Sequence, residues 1–403
     1  MPELQLDLIQ TLALAGLVFL FGLVLKRRIR ILEQLNIPSA VLGGLLFAVV
    51  NLFLHNNLLR VQVNTSIQSL CMVLFFTSIG TNASLPLLRK GGKQVVIFLA
   101  LSSVFCVVQN LAGIGMASLF GVSKLFGVMA GSVTLVGGPA TGLAFSPLFE
   151  ELGLKGAETI AITSATVGIV LGGLLGGPTG TFLIRKFSLK KPVTTADKPT
   201  EQEAEGEIDT ITIETTKEYS AFNLSFIAIG FIMGLGSVVG FLIASTGITL
   251  PAYIGAMIVG AAFRNLNDRN RWITMDQRAI DFAGGIALNT FLVVALMDLK
   301  LWELFHLALP LAGILAVQVV VALLFAVTAC FWVMRRDYDA AVISGGFIGF
   351  MLGTVANAMA VMKTLVARYG PARRAFLVVP LVGAFFIDYV NALVITVFAN
   401  LLK

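Results

Sequence analysis

Charge is scarce in this chain. Asp, Glu, Lys and Arg make up 12% of its 403 residues, about half the roughly 25% found in soluble domains. That excludes an ordinary water-exposed globule. Three cysteines and two histidines are present. Cys71, Cys106 and Cys330 sit inside apolar runs without metal-ligand or redox-pair spacing, so they read as small core hydrophobes. His55 and His306 lie far apart near segment ends, which argues against a metal cluster. No G-x-x-x-x-G-K-[ST] loop occurs, so nothing supports an ATP-driven pump. Ser, His and Asp in nucleophilic spacing are also missing. The opening MPELQLDLIQ has no basic n-region, so the first apolar span is expected to stay in the mature protein. The net charge of +6 does not point to nucleic acid, because the basic residues sit in short clusters beside apolar runs and leave no room for a separate binding module.

Apolar runs are abundant. Hydrophobic residues make up 57% of the chain, and runs cover 10–25, 37–54, 94–119, 158–184, 221–245, 305–333 and 375–400. Each approaches or exceeds the roughly 20 residues that span a hydrocarbon core, which predicts an all-α polytopic membrane protein. The clusters KRRIR (26–30), RKGGK (89–93), RKFSLKK (185–191), RNLNDRNR (264–271), MRRD (334–337) and ARYGPARR (367–374) are assigned to the cytoplasm by the positive-inside rule. HNNLLR (55–60), the 151–158 region and MDLKLWEL (297–304) then fall outside. The resulting path has ten spans with both termini outside.

Parity leaves two segments that begin and end on one side. Residues 122–155 start and end outside, and residues 338–366 start and end inside. Both are apolar yet broken by glycine, which predicts re-entrant helical hairpins; two short full spans also preserve parity. Five spans plus one such insertion per half give two inverted repeats, 1–186 and 220–403. IPSAVLGGLLFAV (37–49) echoes LPAYIGAMIVGAA (250–262), and VGIVLGG (167–173) echoes VGAFFID (382–388). Between the halves, 187–219 is rich in Pro, Thr and Glu and reads as a flexible cytoplasmic linker.

Broken helices in inverted repeats suit a transporter. Helix N-termini at the midplane bind anions, and freed carbonyls ligate sodium. In GSVTLVGGPATGLAF (131–145), Gly137 and Gly138 permit a turn, Pro139 removes a donor, and Thr134 and Thr141 supply hydroxyls. The partner break carries Gly345, Gly346, Gly349, Gly353, Thr354 and Asn357. Tight glycine-mediated helix packing is the alternative for either stretch. Asp388, an acid inside an apolar span, shares a helical face with Asn391 and suits sodium or proton coupling; a helix–helix hydrogen bond is the other reading. Thr163, Ser164 and Thr166 offer the corresponding surface in the first half. Asn82 and Asn110 are further polar positions, and Arg374 is a candidate for steering an acidic solute. A channel or an intramembrane enzyme remains as a competing class. Saturable, sodium-driven flux separates a carrier from both.

MVLFFTSIGTNASLPLLRKGGK (72–93), NLAGIGMASLFG (110–121), GSVTLVGGPATG (131–142), DLKLWELFHLALPLAGILAVQ (298–318) and RRAFLVVPLVGAFFIDYVNALVI (373–395) resemble the bacterial sodium/glutamate symporter family along nearly the whole chain. The resemblance implies ten spans, two re-entrant segments, a homodimer in the bacterial inner membrane, and uptake of L-glutamate with Na+ by movement of a transport domain against a scaffold. Matched residue by residue, it puts the first re-entrant signature at Thr134, Gly137, Gly138, Thr141 and Gly142 and the second at Gly349, Gly353, Thr354 and Asn357, of which all but Gly349 are candidate solute-binding positions. Asp388 is matched as the last-span acid, beside Asn391, Thr163 and Thr166 as candidates for sodium coupling. Where the family often shows His-Gly-Thr-Gly, this chain reads Pro139-Ala140-Thr141-Gly142. A second small carboxylate or amino acid therefore stays open as the solute.

Overall fold

The computed structural model describes residues 3–57, 60–86, 92–189, 216–300 and 307–403. Most of the linker assigned to 187–219, His306, and parts of the RKGGK and MDLKLWEL loops lie outside the described residues.

The chain is helical almost throughout. Helix α1 (Leu8–Arg28) opens on a capping box in which Asp7 Oδ1 accepts from Gln10 N at 2.7 Å and Gln10 Oε1 accepts from Asp7 N at 3.1 Å. It ends on Lys26, Arg27 and Arg28, whose charge complements the helix dipole. A short α2 (Arg30–Gln34), then α3 (Ser39–Asn57), α4 (Ser66–Asn82) and α5 (Gly92–Leu119) follow. Helix α6 (Lys124–Val128) runs through a wide turn, Met129–Val133, toward α7 (Gly138–Glu151), and α8 (Ala157–Lys186) completes the half. The chain continues with a second series of helices. It has α9 (Thr216–Ala244), α10 (Ala252–Asn270), α11 (Gln277–Met297) and α12 (Ala308–Phe325), which continues through a π turn to Val333. The paired α13 (Tyr338–Met351) and α14 (Val355–Tyr369) come next, then α15 (Arg373–Phe385) and α16 (Ile387–Leu401).

Among the described residues, six helices are long and apolar enough to cross a membrane: α1, α5, α8, α9, α11 and α12. The last two helices, bent by 48° at their junction, pass the same test as a pair. Large apolar side chains such as Phe21, Phe231 and Phe241 lie exposed on α1 and α9, as a hydrocarbon solvent permits. Two features were not legible in the sequence. A short parallel strand pair joins Glu3–Gln5 to Arg60–Gln62 with Glu3 opposite Arg60. The final apolar run, expected as one span over 375–400, breaks at Phe386, whose φ and ψ of −128° and −33° cap one helix and start the next.

The helices sort into two packing groups. In the first, α1 lies on α3, α9 lies on α10, and α4 is held between α10 and α11. Close approach is enforced by glycine: a Cβ on Gly22 would fall 2.1 Å from Ser39 O, and one on Gly255 would fall 2.2 Å from Gly236 O. Asn82 Nδ2 donates to Asp281 at 2.9 Å, which ties α4 to α11. The second group gathers α5, α8, α12 and the helices of both broken segments. Its core is a ring cluster of Phe105, Phe325 and Phe347, with centroids 4.8–5.6 Å apart. Helix α8 presents Gly168, Gly172, Gly176 and Gly180 to the second broken segment. Cβ atoms there would meet Leu352 O at 2.3 Å, Gly349 O at 3.2 Å, Gly345 O at 2.7 Å and Leu365 Cδ1 at 2.4 Å. Side chains at this four-residue spacing share one helix face. The two groups meet at Tyr253, which stacks on Phe76 (3.8 Å) and receives Phe145 edge-on at 5.8 Å.

Candidate functional site

The first broken segment departs from helix at Gly131, with φ −103° and ψ −131°. Freed backbone groups in a buried stretch need partners, and amides from two other helices supply them. Asn110 Oδ1 on α5 accepts from Ser132 N at 3.0 Å, and Asn391 Nδ2 on α16 donates to Ser132 O at 2.9 Å. Thr134 Oγ1 donates to Met129 O at 2.7 Å inside the same turn. The chain resumes helix at Gly138, whose φ of +65° lies in the left-handed region that glycine tolerates. Pro139 then occupies the first turn of α7, where a missing N–H costs nothing. Thr141 and Gly142 lie inside α7, past the turn. Gly142 faces Ala161 and the Thr134 methyl, each 3.0 Å from a built Cβ.

The second break is shorter. Helix α13 stops at Met351, and Thr354, in an extended conformation, caps α14 by accepting from Asn357 N at 3.4 Å. Asn357 Nδ2 donates to Ile169 O on α8 at 2.6 Å. Gly353 is wedged between them, since a Cβ would fall 2.6 Å from that same Nδ2. The two breaks meet: a Cβ on Gly138 would lie 4.0 Å from Thr354 Cγ2. The N-terminal ends of α7 and α14 therefore come together. Each carries unsatisfied N–H groups and the positive pole of its helix, about half an elementary charge.

Polar atoms without partners collect around these breaks. Asn391 Oδ1, Asn357 Oδ1, Ser132 Oγ, Ser164 Oγ and Thr166 Oγ1 are buried and accept or donate no hydrogen bond. Leaving each such group unmade costs about 1–3 kcal/mol, and hard cations bind sites rich in oxygen. Thr163 instead donates to Thr159 O at 2.8 Å. Asp388, half-buried in the first turn of α16, makes no hydrogen bond or ion pair among the described residues. The sodium candidates thus divide. Asp388 and Asn391 sit on α16 at the first break, while Thr163 and Thr166 sit on α8, which packs on both broken segments. Arg374 is engaged elsewhere: it pairs with Asp337 and donates to Met334 O at 3.2 Å. Ser132, Gln109 and Gln318 escaped the sequence reading. A polar side chain within an apolar run was their signal, the same signal that singled out Asn110.

Six helices of membrane-spanning length among the described residues, packed with two breaks whose helix ends converge, define an integral membrane protein. The comparisons carry this further. The model of the sodium/glutamate symporter family matches residues 4–371. The chain is 39% identical over 399 residues to the sodium/glutamate symporter of Escherichia coli (strain K12), covering 98% of both chains, and 37% identical over 390 residues to that of Haemophilus influenzae, covering 96% of both. This chain belongs to the sodium/glutamate symporter family. Among solved structures it is similar to the sodium proton antiporter MjNhaP1 of Methanocaldococcus jannaschii at 15% identity, with a TM-score of 0.43 over 98% of each chain.

Proposed function

We propose that the chain is a secondary carrier for sodium-coupled uptake of glutamate, with the solute held between the two breaks. The observation that carries the placement is the approach of Gly138 to Thr354. Two helix N-termini brought this close favour an anion without any fixed cation, and glutamate brings carboxylates to both. Thr134, Gly137, Gly138, Thr141, Gly142, Gly353, Thr354 and Asn357 form the solute site in this reading. Thr354 and Asn357 lie at the tip itself, and Thr141 and Gly142 support it from α7. Sodium sits at Asp388 and Asn391 beside the unwound Ser132, with Thr163 and Thr166 as further oxygens from α8. A carboxylate without a partner, next to free amide oxygens, supports that assignment.

The matching helix order of the halves supports two inverted repeats of five spans, in which 8–28, 39–57, 66–82, 92–119, 157–186, 216–244, 252–270, 277–297, 308–333 and 373–401 cross the membrane and the broken pairs are re-entrant. The loops rich in Lys and Arg support a cytoplasmic linker and both termini outside, in a bacterial inner membrane. The two packing groups serve as scaffold and moving bundle, and the scaffold is the surface for a homodimer. Radiolabelled uptake into proteoliposomes tests the reading, with L-glutamate, D-glutamate and L-aspartate offered under separately imposed sodium and proton gradients. Saturable L-glutamate uptake driven by sodium supports it. Uptake that ignores the sodium gradient overturns the coupling. Preference for another carboxylate overturns the solute and traces to Pro139 and Ala140.

A further inference from the structure

Two adjacent residues of α5 reach the two breaks separately. Asn110 Oδ1 accepts from Ser132 N at the first break, at 3.0 Å. Gln109 Nε2 donates to Met351 O at 3.0 Å, the last residue of α13 before the second tip. Neighbouring helical residues point about 100° apart, so one turn of α5 serves two sides. Both side chains are fully buried. Gln318 Nε2 on α12 donates to Gln109 O at 2.7 Å, a contact with the backbone of this turn that involves neither side-chain tie. A built Cβ on Gly131 would fall 2.8 Å from Asn110 Oδ1 and 3.3 Å from Gln109 O, so the first break lies directly against the pair.

We propose that Gln109 and Asn110 are positioning residues that couple the two sites: Asn110 sets the backbone at the sodium-proposed break, and Gln109 sets the carbonyl that leads into the solute tip. Sodium bound at Asn391 and Asp388 changes the pull on Ser132. That change passes through Asn110 and the same turn of α5 to Gln109 and Met351. The route is a contiguous set of hydrogen bonds between two distinct sites, and coupling along such a route is reciprocal in binding free energy. The inference rests on the site reading given under Proposed function.

Its readout is the dependence of solute affinity on sodium. The KM for L-glutamate is measured in proteoliposomes across a sodium series for the parent chain, Gln109→Met, Asn110→Ala and Gln318→Met. Methionine matches glutamine in length and removes only the amide. The parent KM is expected to fall as sodium rises. In Gln109→Met and Asn110→Ala the ratio of KM at low to high sodium shrinks severalfold toward unity. Gln318→Met leaves both ties in place, so it keeps the parent ratio even where abundance or maximal rate falls. Sodium-dependent shifts in thermal unfolding with and without glutamate, read on purified protein, give the same ratio for any variant too slow to transport. Parent-like sodium dependence of KM in Gln109→Met and Asn110→Ala overturns the coupling role, as does equal flattening in Gln318→Met. Asp388→Asn, run alongside, separates the two levels. Sodium-dependent uptake retained there refutes the site reading, whereas its loss together with an unaltered Gln109→Met refutes the coupling alone.

Discussion

Gly168→Ala puts one methyl group where two broken segments and a long helix converge. The added Cβ would lie 2.3 Å from Leu352 O and 2.7 Å from Leu135 Cδ2. Leu135 can rotate aside. Leu352 O is backbone, one residue before Gly353, so relief must come from α8 stepping back or from the second tip moving. Overpacking a filled site costs about 1–3 kcal/mol, and about 1.4 kcal/mol is tenfold in an equilibrium. The packed arrangement is therefore expected to lose roughly 5- to 150-fold against the displaced one. Because the displaced element carries Thr354, the loss appears in the KM for solute, with membrane abundance nearly unchanged. The control uses the same chemical change on α5, where nothing lies within 4 Å of a Cβ on Gly115. There the substitution gains about 0.5–1 kcal/mol of helix preference and leaves KM alone. Uptake kinetics against total membrane protein, quantified by immunoblot, distinguish the two. Parent-like KM in Gly168→Ala, with normal abundance, would show that the tip does not depend on its seat on α8.

Asp388→Asn keeps the size of the side chain and removes the charge; sodium-driven uptake is expected to vanish while membrane insertion persists, and retained uptake would remove Asp388 from the coupling site. Thr354→Ala deletes the cap of α14, a loss of about 1 kcal/mol that raises solute KM severalfold; Thr354→Ser, which keeps the oxygen, restores it, and equal kinetics in both variants would show that the cap is irrelevant. Replacing sodium by choline should lower the thermal unfolding midpoint of the purified chain, because a cation bound only to the folded state stabilises it by RT ln(1 + [Na+]/Kd). The same exchange should leave Asp388→Asn unmoved, and a salt response independent of Asp388 would place sodium elsewhere.

The architecture was largely written in hydropathy. Helices 92–119, 157–186 and 308–333 fall within a few residues of their apolar runs, because lipid leaves no other way to satisfy a spanning backbone. The breaks were legible as glycine clusters, but their positions were not. Gly137–Pro139 marked a turn, yet the first departure from helix comes earlier, at Gly131, where a partner amide from a distant helix makes it affordable. The bend at Phe386 lies between apolar residues with no glycine or proline at the joint, so nothing local announced it. Asn391 was found as a polar residue facing the same way as Asp388, but its bond to Ser132 depends on tertiary approach. Thr163 and Thr166 were grouped with them by pseudo-symmetry, as the corresponding surface on the last long helix of the first half, and Ala157–Lys186 is the helix that carries them.

The bond between Asn391 and Ser132 spans 259 positions of the chain. At roughly 5–20 residues per second of synthesis, the Ser132 carbonyl waits on the order of 15–50 s for its amide partner to leave the ribosome. Over that interval the glycine face of α8 also lacks the segment that later covers it. The nascent N-terminal half must therefore enter the bilayer with its most irregular stretch unfinished, and only the last helix to emerge completes it. Premature termination before residue 391 should thus leave a product prone to quality-control proteolysis, and late truncations should be far less tolerated than their distance along the chain from the first break would imply.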